Sequence, residues 1–193
     1  MKRKSTIYML LILIVTLLFT LSACIQYDKP TPTPSPDQEE GEEKIVVDPK
    51  PKGENKEVTL YFMDKSIIET GQGDYSELIK ETRTIMVDDR PIEQIILEEL
   101  QNGPEKEEAI TMFRKELQII SVEEADNTAY VNLSSQNVYS GSLEETGIIY
   151  QVVYSLTELD NVDKVQFLID GKVIETLSGH YSIMEPWTRE MIK

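Results

Sequence analysis

The chain has 193 residues, with 19 Lys and Arg against 35 Asp and Glu, a formal charge of −16, and a single Cys and a single His. So acidic a surface repels phosphate backbones and anionic polymers, which excludes nucleic-acid binding and favours solubility and cationic partners. One cysteine allows no internal disulfide and one histidine no histidine-rich metal site, so the fold must rest on hydrophobic burial, for which the length suffices in one ordinary domain.

The first element is Lys2-Arg3-Lys4, an apolar run from Ile7 to Leu21, and Leu21-Ser22-Ala23-Cys24, which together resemble a bacterial lipoprotein signal ending in its lipobox. A basic start, an apolar stretch and small residues before the cut are what a secretion signal needs, and the thiol of Cys24 then accepts a lipid, diacylglyceryl or palmitate. The run is shorter than the ~20 apolar residues of a comfortable span, which makes an uncleaved transmembrane anchor the second reading. Residues 1–23 are thus expected to be a signal peptide, Cys24 the lipidation site, and the rest a cell-membrane lipoprotein on the extracytoplasmic face. Cleavage removes three cationic residues and no acidic one, taking the formal charge from −16 to −19.

Residues 24–56 read as a spacer. Pro30, Pro32, Pro34 and Pro36 alternate with Thr and Ser, and an acidic cluster follows from Asp37 to Glu40. Alternate prolines withhold amide donors and favour extended backbone, while clustered carboxylates repel one another.

The folded domain is expected over 57–193. Glu57 to Met63 is β-branched and aromatic and predicts a strand, followed by a loop carrying Gly71 and Gly73. Ile79 to Val87 predicts a second strand. Pro91 then opens a helix whose Ile92, Ile95, Ile96 and Leu100 recur at helical spacing, closed by Asn102-Gly103-Pro104. Leu117–Val122 and Thr128–Leu133 predict two strands around a turn at Asp126-Asn127. Ser142 with Glu145 three positions on has capping-box spacing and predicts a second helix, with Ile148, Ile149, Val152, Leu156 and Leu159 on its apolar face. Asp170-Gly171 between Lys164–Ile169 and Lys172–Glu175 predicts a closing hairpin. The order β-β-α-β-β-α-β-β implies an α+β fold, a mixed sheet with two main helices packed on one face.

Catalytic machinery is absent from this pattern. His180 reads as a loop histidine satisfied within Ser178-Gly179-His180-Tyr181, and Ser142 lacks the flanking glycines of a nucleophile elbow. Gly71-Gln72-Gly73 lacks the third glycine of a dinucleotide turn. The pairs Glu98-Glu99, Glu123-Glu124 and Glu144-Glu145 read as solvated surface in so acidic a chain. Asp64, Asp74, Asp160 and Asp163 lie in expected loops without the spacing of a calcium loop, and Tyr61, Phe62, Tyr130, Tyr150, Tyr154 and Phe167 read as core or interface. No cofactor, metal site or catalytic residue is expected.

Val58–Phe62, Lys80–Ile85, Leu97–Pro104, Val165–Lys172, Leu177–His180 and Glu185–Arg189, in this order and spacing behind the lipoprotein leader, resemble the GerMN domain of sporulation and spore-germination lipoproteins. The resemblance implies a non-enzymatic extracytoplasmic module, similar in shape to small domains of ring-like envelope assemblies, with no catalytic residue to carry over. Related proteins carry two such domains in tandem, whereas this chain has room for one. The partners implied are envelope or spore-assembly proteins and, through the lipid on Cys24, the membrane. A small-ligand or cell-wall-fragment binding lipoprotein, with Asp64–Ser76 as a lid, is the alternative. Arg83 is open between an exposed cation and the partner of a nearby carboxylate.

Overall fold

In the computed structural model, which describes residues 53–138 and 140–192, alternating Val58, Leu60 and Phe62 form the buried face of a long first strand, β1 (Glu54–Asp64). β-Branched and aromatic side chains at every second position fit a pleated surface with one face in the core. The expected signal over 1–23, Cys24 and the spacer up to Lys52 lie outside the described residues. β1 runs directly into α1 (Lys65–Thr70), which Asp64 caps: its Oδ1 accepts the Ser66 N–H at 2.7 Å, and the helix stops at Gly71. A loop was expected here, because six residues held by one cap carry no amphipathic period.

β2 (Ile79–Val87) pairs antiparallel with β1 in unbroken register from Glu54↔Val87 to Phe62↔Ile79. α2 (Ile92–Asn102) buries Ile95, Ile96, Leu97 and Leu100, and ends at Gly103, whose φ of 88° suits a residue without a Cβ. β3 (Ala109–Ile110) then pairs with the end of β1 on its other side, giving the order β2-β1-β3.

The second sheet begins with β4 (Ile119–Ala125) and β5 (Thr128–Leu133), joined by Asp126 and Asn127 at φ 51° and 57°, the left-handed pair that a two-residue hairpin turn requires. The crossover helix α3 (Ser142–Leu156) leads to β6 (Lys164–Ile169), which lies parallel to β5. The α+β class and the mixed pairing are therefore as expected, but the strands divide into two three-stranded sheets, β2-β1-β3 and β4-β5-β6. Side chains of α3 stand where a further strand would continue β1. The Tyr61 N–H donates to Ser155 Oγ at 3.0 Å, and the Met112 N–H donates to Gln151 Oε1 at 2.6 Å. α3 touches β1, β6 and α2, and Ile148, Ile149, Val152, Val153 and Leu156 are wholly buried.

Two local expectations are corrected. The turn at Asp170-Gly171 forms, with a single bridge Ile169↔Lys172, but no strand continues through Glu175. The outer edge of β6 is occupied instead by Trp187, whose N–H donates to Val165 O at 2.7 Å while the Val165 N–H donates back at 2.9 Å. Ser142 does not cap α3: Gly141 holds the cap position without a side-chain bond, and Glu145 turns into the protein.

Candidate functional site

Several of the segments quoted for the family resemblance are tied to one another or to α3 by three buried or half-buried charge clusters. In the first, β2 supplies Glu81 and Arg83. The Glu81 carboxylate accepts the N–H groups of Glu105, at 3.0 Å, and Lys106, at 2.8 Å, so it pins the loop that leaves α2. The terminal nitrogens of Arg83 donate to Glu81 at 2.7 Å, to Glu99 at 3.0 Å and to the Gly103 carbonyl at 2.6 Å. Burial opposes ionisation of Glu81, but the Lys106 amide, Arg83 and the Glu105 amide outweigh it and hold its pKa below the ordinary carboxylate value. Arg83 is thus a carboxylate partner with a side chain only 9% exposed, and its guanidinium also lies over the Phe62 ring at 5.3 Å.

The second cluster centres on Glu145 in the first turn of α3. Its carboxylate is fully buried and accepts the backbone N–H groups of Ser178 and His180, both at 3.0 Å, with His180 Nδ1 at 2.7 Å. The third is built by Arg189, which donates to Thr157 Oγ1, Tyr154 O and Glu158 Oε1 at 2.6–2.7 Å and lies 5.0 Å from the Tyr154 ring centre. The Tyr61 hydroxyl donates to the same Glu158 oxygen at 2.7 Å. Burial and that carboxylate push the phenol up to about 12.

Glu145 and Glu81 are therefore structural carboxylates where sequence reasoning had placed Glu145 on the solvated surface. The spacing of Ser142 and Glu145 imitated a capping box, and nothing local announces that Glu145 reaches a loop over thirty residues away. His180 is satisfied by α3 and not within its own loop. The other pairs are divided: Glu98 accepts from Arg90 at 2.6 Å, Glu99 from Arg83, and Glu144 pairs with Arg114. Asp64 caps α1, Asp74 accepts from the amide and hydroxyl of Ser76, and Asp163 accepts from Asn127 at 3.0 Å. Among the described residues, no three or more His, Cys, Asp or Glu side chains gather to hold a metal. Of the aromatics, Phe62, Phe167 and Tyr150 are buried, while Tyr61, Tyr130 and Tyr154 are half-buried.

What the fold leaves outward are open grooves and sheet edges. One groove of about 480 Å³ runs beside β2 and α2, bounded by Thr82, Thr84, Met86, Arg90, Glu98 and Glu105. Another of about 440 Å³ lies over Tyr130, Asn132 and Leu168 on the second sheet. Among the described residues no helix is long and apolar enough to cross a membrane.

The chain is similar in structure to the first GerMN domain of the sporulation protein GerM from Bacillus subtilis, with a TM-score of 0.57 and 22% identity over 70% of this chain and 98% of that one. Against the tandem GerMN domains of the same protein the TM-score is 0.51 at 17% identity, covering 70% of this chain and 46% of that chain, so one domain here spans about half of the tandem pair. A candidate lipoprotein from Clostridium perfringens matches with a TM-score of 0.49 and 24% identity over 72% of this chain and 90% of that one. Comparison with curated protein sequences returns no match. The two GerMN structures agree with this chain in fold, and the Germane family model, described as sporulation and spore germination, matches residues 59–175; the chain belongs to that family.

Proposed function

We propose that the chain is a membrane-tethered, extracytoplasmic assembly module acting in sporulation or spore germination, with protein contact and not catalysis as its activity. The observation that carries this reading is the use made of its charged family segments. Glu81, Arg83 and Arg189 of those segments, together with Glu145 of α3, spend their hydrogen bonds holding loops against β2, α2 and α3, and among the described residues no activated nucleophile or paired acid and base faces a cleft. The lipoprotein leader, with lipid on Cys24, supplies the tether, and the acidic proline-rich spacer supplies the reach. The small-ligand alternative asks for a concave pocket lined by aromatics, and the two grooves described above contain at most Tyr130.

The test is in-cell crosslinking and capture of the native lipoprotein from vegetative and sporulating cells. Envelope proteins captured reproducibly in sporulating cells are the expected result. Absence of any protein partner in both states, together with a small molecule that shifts the melting temperature, would transfer the assignment to ligand binding.

A further inference from the structure

Three of the four outer sheet edges are closed or interrupted. β6 is covered by Trp187 at Val165, β3 has only two residues, and β4 breaks register between Ile119 and Ser121, leaving Ile120 half exposed. A bulge on an edge strand is a common device against adventitious pairing. β2 has no bulge. Its nine residues pair with β1 without a register shift, and among the described residues no strand lies on its other side.

The groove along that edge contains an unmet polar group. Arg83 is nine-tenths buried and its terminal nitrogens are bonded to Glu81, Glu99 and Gly103, but its Nε–H has no hydrogen-bond partner. The Oε1 atom of Glu105 lies 4.0 Å away, outside hydrogen-bond range, on a side chain that is 82% exposed. The lining of the groove is net acidic, with Glu98, Glu99 and Glu105 against Arg83 and Arg90. Lys80 and Lys106 meet beyond the Thr82 end, where Lys106 Nζ donates to Lys80 O.

We propose that the outer edge of β2 is the docking site for an extended, cationic segment of a partner protein, which adds as a strand. The partner's backbone pairs with β2, and its lysines or arginines lie against Glu98, Glu99 and Glu105. A second copy of this chain fits less well, because two such rims would face each other with like charge. This inference rests on the assembly reading above and names its surface and the chemistry of the partner.

The test uses the full chain in detergent micelles and three fluorescent nonapeptides: alternating Lys and Val, the same with Glu for Lys, and alternating Lys and Pro. Binding is read by anisotropy and located by amide hydrogen exchange. The Lys-Val peptide is expected to bind and to slow exchange within 80–86, with at least tenfold weaker binding by the Glu-Val peptide. The Lys-Pro peptide keeps the charge, but its prolines fix φ at about −65° and hold the backbone in polyproline geometry out of step with a β-strand, so it is expected to lose the protection. The double variant Glu98→Gln, Glu105→Gln, both partly exposed, should bind the Lys-Val peptide at least tenfold more weakly with an unchanged melting temperature. Equal binding of Lys-Val and Lys-Pro peptides, or protection falling on β4 instead of β2, would overturn the proposal. Envelope partners captured equally by the native chain and the double variant would also overturn it while leaving the assembly reading intact.

Discussion

Replacing Glu145 by Gln tests whether the first turn of α3 holds the C-terminal segment in place. The native carboxylate is fully buried and has four donors around it: the N–H groups of Ser178 and His180 at 3.0 Å, the Tyr181 N–H at 3.5 Å, and His180 Nδ1 at 2.7 Å. Glutamine fills the same space but keeps one acceptor oxygen, and its NH₂ group turns a donor toward the His180 N–H. Hydrogen bonds to a charged group contribute ~1.5–3 kcal/mol each, and a buried amide left without an acceptor costs about as much. Sparing the burial of a charge recovers part of this, so the net loss is about 2–4 kcal/mol, or roughly 10 °C in melting temperature for a domain of this size. Urea denaturation followed by far-UV circular dichroism reads the global loss. Trp187 fluorescence reads the same segment locally, since its indole donates to Ser182 O at 2.9 Å and meets the Tyr181 ring edge-on at 5.9 Å. Amide exchange at Ser178 and His180 should accelerate. A variant within ~0.5 kcal/mol of the native protein, with unchanged exchange at those two amides, would refute the argument.

Gly147→Ala places a Cβ 2.6 Å from Met112 Cβ and 3.3 Å from Met63 Cγ, both near the backbone and slow to yield. Overpacking of about 1–3 kcal/mol opposes ~1 kcal/mol of helix propensity, so chemical denaturation should show a net loss of about 0–2 kcal/mol, and a stabilised variant would contradict the packing. Glu81 has a folded pKa below its ordinary 4.5, so its contribution is complete above that pH and is lost as the pH falls through the lower folded value. Urea midpoints measured from about pH 6 to about pH 3 should therefore fall less steeply for Glu81→Gln than for the native protein, and parallel profiles would contradict the linkage. Cys24→Ala should abolish palmitate labelling and move the protein from the membrane to the soluble fraction. A full-length variant still bound to membrane would show that the apolar run from Ile7 to Leu21 is the anchor.

The two main helices and the turn at Asp126-Asn127 were legible because their signals are local. Ile95, Ile96 and Leu100 repeat with the helical period, and both turn residues adopt the left-handed backbone expected of a two-residue hairpin. α1 was missed because its only signal is one aspartate before six residues. The strand after Gly171 was overcalled for the opposite reason: the turn chemistry is present, but Trp187 occupies the edge that the strand needed. The candidate contact edge was not legible at all, since whether a strand lies at an edge depends on which other strands reach it.

From its residues alone the chain determined its acidic character, the spans of its principal helices and strands, and the ordered segments by which its family is recognised. These follow from charge count, side-chain periodicity and turn chemistry, which act over a few residues. Only the tertiary structure decided that the strands form two sheets, that Glu145 and Glu81 lie inside a strongly acidic protein, and that β2 is an outer strand among the described residues. Each of those outcomes depends on groups 24 or more positions apart, such as Glu81 with Glu105 and Glu145 with Ser178. A carboxylate is buried where enough donors converge on it, and that convergence is a property of the packed chain.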